Sequence, residues 1–63
     1  MDHESVAKRL IRDARRRAPT PFLVGFIFDN LLDQDVPDIE DQSQVRKAAR
    51  LILDQEAKDG SRI

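Results

Sequence analysis

The chain has 63 residues with no cysteine, one histidine and a formal net charge of −1 from 11 basic and 12 acidic residues. That composition excludes a disulfide framework, a thiolate metal site and a multi-histidine metal site, and it lacks the basic excess of a dedicated nucleic-acid binder. A chain this short buries only about 60% of its unfolded surface, so a thin core supplemented by oligomerisation or a partner is expected.

The N-terminal Met1-Asp2-His3-Glu4 is polar with no apolar run behind it, unlike a secretory signal. No stretch approaches the roughly 20 apolar residues of a membrane span. A cytoplasmic location is the expectation.

The first predicted helix runs from about 4 to 17. Val6, Ala7, Leu10, Ile11 and Ala14 recur at helical spacing and form one apolar stripe. At about 100° per residue, Lys8, Arg9, Arg12, Arg15 and Arg16 gather on the opposite side. Ala18-Pro19 ends the helix, because the residue before a proline is pushed out of the helical region.

Thr20-Pro21 opens the second predicted helix, 21–32, as an N-cap residue followed by proline at the first helical position. Phe22-Leu23-Val24-Gly25-Phe26-Ile27-Phe28 is also rich in strand formers. It lacks period-2 alternation, however, and no second strand exists to pair with it. Gly25 weakens this helix by about 1 kcal/mol relative to alanine, and either close approach of another backbone or a plain imperfection would account for it.

Asp33-Gln34-Asp35-Val36-Pro37-Asp38 reads as a turn-rich connection. The third predicted helix, 41–58, is capped by Asp38 or Asp41, with Asp41-x-x-Gln44 the better capping box. Val45, Ala48, Ala49, Ile52 and Leu53 form its stripe, and Arg46, Lys47, Arg50 and Asp54 lie outside it. Gly60 sits where a helix C-terminus would place it, and 59–63 reads as a flexible tail. The expected architecture is therefore one all-α, three-helix domain over 1–63, with the apolar second helix at its centre.

That second helix carries large apolar side chains around most of its circumference. Only one stripe on each of the other helices is available to cover it. Either the three helices splay just enough to enclose it, or a contiguous apolar patch remains. The second outcome predicts a protein interface at Phe22, Val24, Phe26, Phe28 and Leu31, occupied by a homodimer mate or a protein target.

The arginine-rich face supports another reading. Lys8, Arg9, Arg12, Arg15, Arg16, Arg46 and Arg50 are candidate anion or nucleic-acid contacts, since arginine pairs with phosphate bidentately. Against this stand a solvated outer face and the complementing of a helix dipole by Arg15, Arg16 and Arg17. Asp29, Asp33, Asp35, Asp38, Glu40 and Asp41 form a stretch without a base, which would pair with the arginines or repel phosphates. A helix-turn-helix would need a tighter turn than this acidic connection.

The remaining chemistry is sparse. Asp33-x-Asp35 begins like a calcium loop, but Pro37 replaces a ligand, Ile39 or Glu40 stands at the turning-glycine position and Gln44 falls at position twelve. His3 lies near the apolar side of the first helix, in a packing or capping role. Ser5 and Ser43 have no base within local reach. No catalytic residue, cofactor site, metal site or small-molecule substrate is expected. The sequence points to a non-enzymatic interaction or regulatory module, with a nucleic-acid-binding regulator as the alternative.

Overall fold

The computed structural model describes residues 2–60. Three α-helices follow one another: α1 (His3–Arg17), α2 (Val24–Asp35) and α3 (Ile39–Gly60), with a 3-10 turn at Pro21–Leu23 before α2. The expected all-α, three-helix fold is what the chain adopts, and no strand occurs among the described residues.

α1 starts where Asp2, in extended conformation, accepts the Ser5 amide at 3.4 Å through Oδ1 and the Ser5 hydroxyl at 2.8 Å through Oδ2. These hydrogen bonds, the hydroxyl's first, hold the Asp2 carboxyl below its ordinary range. Glu4 in the first turn and Arg15, Arg16 and Arg17 in the last all complement the helix dipole. Ala18 turns extended before Pro19, as expected.

Thr20-Pro21 does start helical structure, but the first turn is 3-10, with the Leu23 amide donating to the Thr20 carbonyl at 3.1 Å. The α-helix then runs one turn beyond the expected end at Leu32. Buried Val36 draws that extra turn onto the core, and its amide closes the helix on the Leu32 carbonyl at 2.9 Å. Pro37 prevents further extension by forcing Val36 out of the helical region.

The connection to α3 is therefore only Val36-Pro37-Asp38, shorter than the six-residue turn expected. Asp38 is the cap. Its Oδ1 accepts the amides of Glu40 at 2.8 Å and Asp41 at 3.2 Å, and its carbonyl accepts Gln42 N–H. The Gln42 side chain donates to the Val36 carbonyl at 2.7 Å, satisfying the turn. α3 continues through Asp59 and Gly60, where a tail was expected; residues 61–63 lie outside the described part.

The centre of the fold is α1, and the expectation of a central second helix is corrected here. α1 packs against both α2 and α3, which meet each other only sparsely. The reason is side-chain size: buried Ala7 and Ala14 flank Leu10 and Ile11 on α1, so two neighbours approach it closely. Phe28, Leu31 and Leu32 from α2, Val36 from the connection, and Val45 and Ala49 from α3 complete a wholly apolar core. The molecule is a slab of 39 × 24 × 13 Å, with α2 and α3 both resting on α1. Two helices laid on one leave a trough between them.

Candidate interaction surface

The trough is a groove of about 510 Å³ between α2 and α3. Pro21, Val24, Gly25 and Phe28 form one wall; Ala49 and Leu53 with Arg46 and Arg50 form the other. Ile11 and Arg15 of α1 lie at the floor. The lining is mostly apolar with cations along the α3 rim. At about 100° per residue, Phe26 points nearly opposite the buried Phe28. Phe26 is 68% exposed and Phe22, on the 3-10 turn, 95%.

The structure divides the predicted interface residues. Phe22 and Phe26 are surface residues, and Val24 is half-buried on the groove wall. Phe28 and Leu31 are corrected to core residues: both are buried against α1, although one edge of Phe28 still lines the groove. Their assignment to an interface followed from treating every apolar residue of α2 as equally uncovered. Once α1 is the hub, α2 has one covered side and one bare side.

Leu53 and Gly25 were not singled out as interface residues. Leu53 sits at the edge of the α3 stripe, about 80° around the wheel from Val45, which places it on the rim and not in the core. Gly25 was expected to meet another backbone. Beyond its chain neighbours and the backbone of its own helix it meets nothing: a Cβ built there has no other neighbour within 4 Å.

The candidate cations fall into two groups. Lys8 pairs with Glu4 (3.4 Å), Arg9 with Asp35 (3.8 Å), Arg15 with Glu56 and Arg46 with Asp29 (3.5 Å). Arg12, Arg16 and Arg50 make no ion pair among the described residues. The Arg15 clamp uses both terminal nitrogens, Nη2 at 2.5 Å from Oε2 and Nη1 at 3.5 Å from Oε1. It holds the Glu56 carboxyl below its ordinary range and raises the Arg15 guanidinium.

Nor do the cations form one face. Lys8, Arg12, Arg15 and Arg16 surround a second groove of about 490 Å³, with Ile52 and Glu56 on its α3 side. Arg46 and Arg50 line the α2–α3 groove instead, and the two grooves share only Ile11 and Arg15. The short connection meets the length requirement of a helix-turn-helix. Yet α3 opens with Ile39-Glu40-Asp41, acids at the end that a recognition helix would present to bases and phosphates.

His3 is half-buried, and its Nε2 lies 3.0 Å from Asp41 Oδ1 on α3. Among the described residues no helix is long and apolar enough to cross a membrane. The chain matches no protein-family model, no curated protein and no solved structure.

Proposed function

We propose that this chain is a non-enzymatic protein-interaction module whose working surface is the bare side of α2 and the groove beside it. The observation that carries this reading is the exposure of Phe22 and Phe26, in a chain whose core is otherwise thin. The two rings leave roughly 300 Å² of aromatic surface in water. Covering it is worth about 7 kcal/mol at about 25 cal/mol per Å², before the cost of association. Ile39 and Leu51 are also largely exposed, but neither lines the groove. The cations at the groove rim and the acids of α2 supply orientation and partner choice, because charge complementarity governs specificity more than affinity.

The test is site-specific photo-crosslinking in the full chain, with a photoreactive phenylalanine at position 26 and a control at Lys47, an exposed α3 residue outside the groove. Protein adducts from position 26 and few from position 47 are expected. The rival reading is checked by titrating labelled duplex DNA and RNA at about 50 and 200 mM salt, since phosphate-driven binding weakens by orders of magnitude over that range. Salt-sensitive nucleic-acid binding, together with no adduct at position 26, overturns the proposal in favour of the arginine face.

A further inference from the structure

Resting on the reading of this side of α2 as an interaction surface, we infer that the occupant of the groove is a second copy of this chain. Two copies face each other across their open sides, and the Phe22–Phe26 ridge of each lies in the α2–α3 groove of the other.

Three observations lead there. First, the chain carries both halves of the contact. The ridge is an aromatic projection with nothing of its own chain over it, and the groove is an apolar trough with no side chain of its own filling it. Ridge and groove lie side by side on the face away from α1, so a two-fold axis between the copies satisfies both contacts at once. Such mutual burial is what an isologous interface requires.

Second, the area decides between one-way and mutual insertion. One ridge of roughly 300 Å² entering one groove removes about twice that from water, near 600 Å², which is below the range of specific interfaces. Mutual insertion doubles it to about 1,200 Å², the lower bound for a stable association. A single foreign side chain or short segment entering the groove does not reach that bound. A second copy does.

Third, the charges oppose. The bare side of α2 carries Asp29 and Asp33, whereas the far wall of the groove carries Arg46 and Arg50. Within one chain Arg46 already reaches Asp29 at 3.5 Å; Arg50 and Asp33 make no ion pair among the described residues. Apposing two such faces brings acidic ridges toward basic rims, the arrangement that favours the correct partner over like-charged ones.

Gly25 fits the same picture. It lines the groove wall, and beyond its chain neighbours and the backbone of its own helix nothing lies within 4 Å of where a Cβ would stand. A close-packed second chain gives that bare backbone a contact the monomer lacks.

The test is sedimentation equilibrium on the full chain and two variants of it. The wild type is expected to dimerise reversibly at micromolar to tens-of-micromolar concentration. A ridge variant, F22D/F26D, and a groove variant, G25R, should each be monomeric while keeping the wild-type circular dichroism. A wild type that dimerises while G25R still dimerises overturns the ridge-in-groove geometry and indicates ridge-on-ridge contact; one that dimerises while F22D/F26D still dimerises places the contact elsewhere on the surface. A wild type monomeric at about 500 µM overturns the second copy as occupant. In that case adducts from position 26 to another protein leave the interaction-module reading standing, and their absence removes both.

Discussion

His3 in the first turn of α1 and Asp41 in the first turn of α3 meet at 3.0 Å, Nε2 to Oδ1, across 38 positions of sequence. The contact ties the starts of the two longest helices at the end of the slab where the α2–α3 connection also lies. Both side chains are about one-third exposed, so the contact is worth no more than about 1 kcal/mol. His3→Ala and Asp41→Ala should each lower the urea-unfolding free energy by about 0–1 kcal/mol. The double variant should cost little more than the larger single change, because both remove one interaction. Fully additive losses would mean that the two residues act independently.

Glu56 makes the opposite end of the slab sensitive to acid. Its carboxyl is held low, first by the hydrogen bond from Arg15 and then by that residue's charge. A carboxyl with a lower pKa in the folded chain than in the unfolded one stabilises the fold above its unfolded value, here the ordinary 4.5. That contribution fades as pH falls below about 4.5 and is lost once the folded carboxyl is protonated. Asp2 follows the same sign from its ordinary 3.8. Amide-exchange protection in the last turns of α3 should therefore drop on acidification in the wild type. Glu56→Gln should show weak protection there already at pH 7 and little further change.

Leu32 and Phe26 lie six residues apart on α2, about 120° apart around it. Leu32 is fully buried, and Leu32→Ala should cost about 2–5 kcal/mol. A domain of this size has roughly 3–5 kcal/mol in total, so the variant should be largely unfolded by circular dichroism at 25 °C. Phe26→Ala, measured at a dilution where the chain is monomeric, should shift stability by no more than about 0.5 kcal/mol. Comparable losses from both would mean that Phe26 belongs to the core.

The contrast between these two residues marks how far the sequence could be read. Stripe periodicity identified Val6, Ala7, Leu10, Ile11 and Ala14 on α1 and Val45, Ala48, Ala49, Ile52 and Leu53 on α3, all buried or half-buried except the exposed Leu53, because each stripe has one apolar side. α2 has no such asymmetry in sequence: Phe26 and Phe28 are the same residue type, and only the position of α1 decides which is covered. Expecting α2 at the centre followed from weighing hydrophobicity alone. Close packing favoured α1 instead, whose alanines admit two neighbours where bulky side chains admit fewer. The cap was ambiguous for a similar reason. Asp38 and Asp41 both suit an N-cap locally; in the fold Asp38 accepts the first amides of α3, and Asp41 engages the distant His3 instead.

Gly25 separates the needs of the monomer from those of the interface. It is the second residue of α2, its backbone is helical without positive φ, and the space beside it is empty. Within one chain nothing requires glycine there. Gly25→Ala should therefore stabilise the monomer by about 0.5 kcal/mol through a smaller loss of backbone entropy on folding. Thermal unfolding under dilute conditions measures that gain. The added methyl also projects onto the groove wall, so the same variant should associate more weakly by sedimentation, trading affinity for stability. A variant gaining stability without losing association would place the contact elsewhere on the slab; one losing stability would show that the backbone at position 25 needs the freedom of glycine.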